Sequence, residues 1–143
     1  MRTTGLVCLL LLALPGCYGL FPRSTERANP RVQRAEIDTI AVIAGGDRTS
    51  EVQVAQRARE RIRERGKVTV VSVSGLWSSE RAAVDDVCGP AQQPQLDGLA
   101  VFEADDLRLW DCGTREVAFE ARGGWRGVRY LSDRLLEYLE GRS

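Results

Sequence analysis

Residues 96–121 read LDGLAVFEADDLRLWDCGTREVAFEA. Leu96–Glu103 is a nearly unbroken apolar run, Leu107–Asp111 alternates apolar with polar, and Glu116–Ala121 alternates again. A short apolar run is the mark of a strand buried on both faces, and period-two alternation that of a half-buried one. Asp105-Asp106 and Cys112–Arg115 supply polar breaks short enough for tight turns, so three consecutive antiparallel strands are predicted. The alternation also sorts side chains, with Leu107 and Leu109 on one face of the sheet and Trp110 on the other.

Upstream, Glu36–Ala44 (EIDTIAVIA) and Lys67–Val73 (KVTVVSV) read as two buried, β-branched strands. Between them, Ser50 with Gln53 fits a capping box, Val52, Ala55, Ala58 and Ile62 fall on one helical face, and Gly66 stops the helix. A second helix, capped by Ser78 or Ser79, runs through Val87 to Gly89-Pro90, and a polar loop follows to Gln95. Downstream, Trp125 to Glu140 is a helix with an apolar stripe of Val128, Leu131, Leu135, Tyr138 and Leu139. The order is β-α-β-α-β-β-β-α. That is an α/β (α+β) fold with a single mixed sheet and helices packed on it, the first three strands parallel through right-handed crossovers. Residues 36–143 are long enough for one hydrophobic core.

The full chain of 143 residues is 43% apolar and 28% charged, with 20 basic and 20 acidic residues and a net charge of zero. Phosphate backbones need a concentrated positive field, so nucleic acid is not expected as a partner. Histidine is absent. Its absence removes the commonest general base and metal ligand, and with them every Ser-His or Cys-His pair. No catalytic constellation, cofactor or metal is expected.

The amino terminus reads MRTTGLVCLLLLALPGC over residues 1–17. Arg2 precedes an apolar run from Leu6 to Leu14, which is too short to span a bilayer, and Pro15-Gly16 then leads to Cys17. Leu14-Pro15-Gly16-Cys17 resembles the lipobox of bacterial lipoproteins, with Pro15 an unusual occupant of its place. That resemblance implies a signal peptide over residues 1–16 and a diacylglycerol thioether on Cys17. Acyl chains then anchor the chain to the membrane, at about 0.8 kcal/mol per buried methylene. Tyr18 stands where Asp is the usual inner-membrane retention signal, so the resemblance implies the outer membrane, with the domain facing the periplasm. Residues 17–35 read as the lipidated Cys followed by a flexible tether of roughly 25 Å.

Cys88 and Cys112 remain in the mature chain, in an oxidising compartment. The predicted topology returns Cys112 to the start of the third strand, opposite about Gly98, and Cys88 lies just ahead of that strand. A disulfide is expected there, with two free thiols the alternative. Gly45–Ser50 follows a strand and precedes a helix, a setting that can hold an anion but lacks any phosphate-loop spacing. The arginines of the first helix, Arg57, Arg59, Arg61, Arg63 and Arg65, read either as a solvated ion-paired face or as a docking surface for an acidic partner, with Arg57, Arg61 and Arg65 the candidate contacts. Trp77 is a candidate binding anchor where it is exposed. Asp105-Asp106 is turn chemistry, and Ser72, Ser74, Ser78 and Ser79 have no base beside them.

The segment Leu107–Ala121 also resembles a strand–turn–strand motif of periplasmic α/β domains, at Asp111, Thr114, Glu116 and Val117, with Arg115 where Gly is usual. With the IAVI strand, residues 36–143 resemble the domain shared by three groups. These are the curli-secretion lipoproteins, the lipoprotein activators of penicillin-binding proteins, and the amino-terminal domain of the periplasmic Tol translocation protein. The resemblance implies a non-enzymatic envelope accessory that binds a protein partner. A lipid-tethered module for a small ligand or glycan is the alternative.

Overall fold

A computed structural model of the chain describes residues 25–32, 37–123 and 126–141. Six strands form one mixed sheet in the order β1-β6-β5-β4-β2-β3. They are β1 (Thr25–Ala28), β2 (Thr39–Ala44), β3 (Thr69–Val71), β4 (Gly98–Glu103), β5 (Asp106–Asp111) and β6 (Glu116–Arg122). Three helices complete the fold: α1 (Thr49–Arg65), α2 (Glu80–Val87) and α3 (Gly127–Leu139). β2 pairs in parallel with both β3 and β4, whereas β4–β5, β5–β6 and β1–β6 are antiparallel. The mixed α/β architecture read from the sequence is therefore the architecture of the chain.

The alternation does sort the side chains. Ile40, Val42, Phe102, Leu107, Leu109 and Phe119 point to one face, where they meet Ala58 and Ile62 of α1 and Leu131, Leu135 and Tyr138 of α3. Phe119 stacks on Tyr138 with ring centroids 4.7 Å apart. On the other face Ala41, Ile43, Leu99 and Val101 pack against Ala83, Val84 and Val87 of α2. Each such fully buried large side chain stabilises the fold by about 1.5–3 kcal/mol. Trp110 lies on this second face, opposite Leu107 and Leu109, with its Nε1 donating to Glu80 Oε1 at 2.6 Å.

Several local expectations are corrected. The tether expected over residues 17–35 contains β1, which pairs with β6 from Thr25↔Arg122 to Ala28↔Phe119. All four of its residues are exposed, so it has no apolar alternation to read, and main-chain pairing holds it. Arg134 of α3 adds an ion pair, with Nη2 donating to Glu26 Oε2 at 2.6 Å. The capping box at Ser50 is not formed. The N-cap falls two residues earlier, at Arg48, with no side-chain cap. Gly66 does end α1, but for want of space rather than through a left-handed turn. Its φ is −88°, and a Cβ there would stand 2.7 Å from the Ile62 carbonyl oxygen and 2.8 Å from Leu136 Cδ2. Ser79 is the N-cap of α2, its Oγ accepting from the Ala82 amide at 3.1 Å. The β4–β5 turn is Ala104-Asp105, since Asp106 already pairs with Glu103 in β5, and Ala104 takes a φ of 49°. Cys17, Tyr18, the signal segment and Trp125 lie outside the described residues. No helix among the described residues is long and apolar enough to cross a membrane.

Candidate docking groove

The connection from β2 to α1 leaves the sheet towards one face, and that from β3 to α2 towards the other. Between two such neighbours the chain cannot fill the space beyond the strand ends, and this is where open α/β sheets form binding crevices. Here the crevice is a groove of about 820 Å³. One wall is α1, through Val52, Ala55, Gln56 and Arg59. The other is the segment Val73–Ser79, and Ile43 and Ala44 of β2 form the floor.

The groove holds the features that the core and the surface leave unexplained. Val52 and Leu76, 50% and 99% exposed, are the exposed large apolar side chains among the described residues, and both line it. Val52 was expected in the core stripe with Ala55, Ala58 and Ile62. Those three are buried, while Val52 sits one turn too near the start of α1 to reach the sheet. Arg59 donates from Nη2 to the Val42 carbonyl at 2.8 Å. Its Nε is buried without a hydrogen-bond partner, and it has no carboxylate partner among the described residues. Only the Nε is withdrawn from water, Arg59 as a whole being partly exposed, so the rest of the guanidinium is free to meet an anionic group. Trp77 is half-buried in the wall, its Nε1 donating to Asp86 Oδ2 at 2.9 Å, so it offers part of a ring rather than a protruding anchor.

The loop Gly45–Ser50 borders the groove, but its glycines are covered by acids. Glu103 lies against Gly45, and the Glu51 carboxylate lies over Gly46. Negative charge at a helix start repels a bound anion there.

Of the five first-helix arginines named from the sequence, Arg59 lines the groove and Arg57, Arg61, Arg63 and Arg65 do not. Arg61 holds Asp133 of α3 in a two-pronged contact at 2.8 and 3.0 Å, and Arg65 reaches the same carboxylate at 3.3 Å. Hydrogen bonding to Arg61 holds the Asp133 carboxyl below the usual carboxylate range. These two arginines fasten α1 to α3. Arg57 is exposed, with no partner among the described residues. The residue that reading the sequence missed is Leu76, while Arg59 was named only as one of five helix arginines. Arg59 stands four places after Ala55 on the stripe it continues, which was a signal available in the spacing. Leu76 stands in the unpatterned stretch Ser74-Gly75-Leu76-Trp77 and had none.

At the opposite end of the sheet a disulfide joins Cys88 to Cys112, their Cα atoms 5.1 Å apart. Cys112 donates its amide to the Asp97 carbonyl at 2.8 Å, one residue before Gly98. The rest of that end is densely bonded. Asp97 Oδ2 accepts from the amides of Thr39 and Asp38 at 2.9 and 3.1 Å. Arg115 Nη1 donates to Asp85 Oδ1 at 2.9 Å. On the half of the second face that α2 leaves open, Arg108 is held by Glu80 and Glu103. The Glu80 hydrogen bond raises its pKa well above the ordinary guanidinium value. Among the described residues no group of three or more Cys, Asp or Glu is placed to hold a metal ion.

No protein-family profile and no curated protein sequence matches the chain. Among solved structures it is similar to a PelC dodecamer from Paraburkholderia phytofirmans, at 11% identity and a TM-score of 0.46 over 82% of this chain and 93% of that one. A second PelC dodecamer structure from the same organism, of a point variant, gives 12% identity and a TM-score of 0.43 over 82% and 94% of the two chains.

Proposed function

We propose that this chain is a lipid-anchored, non-enzymatic accessory of the cell envelope, tethered through Cys17 to the outer membrane on its periplasmic side, and that it works by binding a partner protein in the groove between α1 and Val73–Ser79. The observation that carries the reading is the meeting of Leu76 and Val52 on one concave surface. Isolated exposed apolar residues are ordinary, whereas those gathered on a groove mark an interaction site. The lipobox-like segment and the resemblance of residues 36–143 to envelope accessory domains support the same reading.

A small-ligand or glycan module is the second reading. It draws support from the groove's volume of about 820 Å³ and its tryptophan wall.

The test is a photo-crosslinking amino acid placed at Leu76 of the full-length lipoprotein in cells, with Glu64 as an exposed control position. The expected result is one discrete envelope protein, identified by mass spectrometry, captured from position 76 and not from 64. No adduct from position 76 would overturn the protein-binding reading in favour of the small ligand. In parallel, Cys17→Ala is expected to abolish acyl labelling and release the protein from membranes, and unchanged membrane retention would sink the anchor.

A further inference from the structure

The groove also has a main-chain side. β2 runs to Ala44, but β3 stays with it only from Thr39↔Thr69 to Ala41↔Val71. Val42, Ile43 and Ala44 therefore have a strand neighbour in β4, through Val42↔Ala100 to Ala44↔Phe102, and among the described residues none on the other side. Past Val71 the chain turns away towards α2 as an unpaired segment through Trp77. What is left is a strand-wide slot along the end of β2. It is closed at one end by Val71, and flanked by Val52 and Ala55 on the α1 side and by Leu76 and Trp77 on the other. Within it the available hydrogen-bonding surface of β2 is met at a single point, where Arg59 donates to the Val42 carbonyl.

Free strand edges are read by extended peptides, whose main chain pairs while alternate side chains enter flanking pockets. Because Val71 occupies the next place along β2, this slot is blind and admits a chain end rather than a chain passing through. Arg59, buried at Nε and with no carboxylate partner among the described residues, stands at the blind end and selects which end. A carboxylate complements its guanidinium with two parallel hydrogen bonds, and an ammonium terminus is repelled. We infer, resting on the protein-binding reading above, that the slot takes the carboxyl-terminal residues of a partner polypeptide as a short added strand along Val42–Ala44. The terminal carboxylate lies on Arg59 and an apolar side chain lies against Leu76 and Trp77.

The probe is a library of random heptapeptides displayed with free carboxyl termini, selected on the full-length protein in detergent micelles. Enriched sequences are then made as the free acid and as the carboxyl-terminal amide, and compared by fluorescence polarisation. The expected result is enrichment of apolar side chains near the terminus, and binding about tenfold weaker for the amide than for the acid, the loss of about one charge-assisted pair. That acid–amide difference is expected to vanish in Arg59→Gln and to persist in Arg59→Lys. N-methylation at alternate positions is expected to abolish binding where the amide faces β2 and to be tolerated where it does not. Because the acid–amide comparison leaves the protein untouched, it holds even where an Arg59 variant folds poorly.

Equal binding of acid and amide would overturn the inference, as would failure to enrich any sequence. So would dodecanoate binding as tightly as the best peptide with the same dependence on Arg59, which would assign the slot to a fatty acid. Capture of a partner from position 76 together with equal acid and amide binding would overturn this inference alone and leave the accessory reading standing.

Discussion

The two ends of the sheet are built on opposite terms. At the end where β2 and β4 begin, main-chain and side-chain groups are tied together. Cys88 is bonded to Cys112, Asp97 accepts from two amides at the entrance to β2, and Asp111 Oδ2 accepts from both the amide and the hydroxyl of Thr114 at 2.8 Å. At the end where the same strands finish, β3 stops short, Leu76 stands in solvent, and Arg59 has no acid partner among the described residues. A small domain has little stability to spare, so unsatisfied groups persist only where something else in the fold holds the element in place. The closed end does this for the open one, since both ends belong to the same strands β2 and β4.

The largest expected effect falls at the closed end. Removing the disulfide by the double change Cys88→Ala and Cys112→Ala frees a loop with a sequence separation of 24. On the chain-entropy account this lowers unfolding stability by about 3 kcal/mol. Urea titration of the oxidised wild type and the double variant checks it, and a lower midpoint with a somewhat steeper slope is the expected form, because the unfolded chain is no longer held compact. Capture from position 76 should survive at temperatures where the variant stays folded. Loss of capture in a folded variant would show that the two ends are not separable.

The disulfide was also the most legible part of the molecule. Two hairpin-forming strands of similar length return the chain to its starting level, so the placement of Cys112 beside the start of β4 followed from alternation and turn positions alone. Leu107 and Leu109 against Trp110 was legible for the same reason. A strand's side-chain period is set by covalent geometry, and burial on one face leaves a clear imprint. β1 was illegible because Thr25–Ala28 buries no apolar side chain, and an edge strand held by its neighbour's main chain leaves no apolar pattern. The arginines of α1 were only partly legible. A helical run of arginines shows which stripe each occupies but not what faces that stripe. Arg61 and Arg65 met Asp133, from a helix more than sixty residues away in the chain, while Arg59 met an open slot. The groove itself depends on β3 ending at Val71 while its apolar sequence continues to Val73. That early ending is a tertiary outcome that no local pattern announces.

A middle-sized effect is expected at Asp97. Its carboxylate serves two amides that no strand partner reaches, those of Asp38 and Thr39. Asp97→Ala leaves both without that acceptor and is expected to lower stability by about 2 kcal/mol, in the range for hydrogen bonds to a charged group. Asp97→Asn keeps one acceptor oxygen and should lose less. Urea midpoints of the two variants rank them. An alanine variant as stable as the asparagine one would mean that water replaces the carboxylate at no cost, and the closed end would then be less tightly built than its hydrogen bonds imply.

The smallest expected effect on stability, and the sharpest on function, belongs to Leu76. At 99% exposure its side chain contributes almost nothing to the core, so Leu76→Ser is expected to change unfolding stability by less than about 0.5 kcal/mol. The same change removes the most exposed apolar contact the groove offers a ligand. It is expected to weaken the selected peptides about tenfold, the scale of a buried leucine contact at the centre of an interface. The pairing of the two measurements gives the test its force. A fall in stability would mean that Leu76 packs on the fold in solution and that the open end is not open. Unchanged stability with unchanged binding would mean that the residue is exposed without purpose. Only unchanged stability with weakened binding fits a sheet whose one end is closed so that the other can stay available.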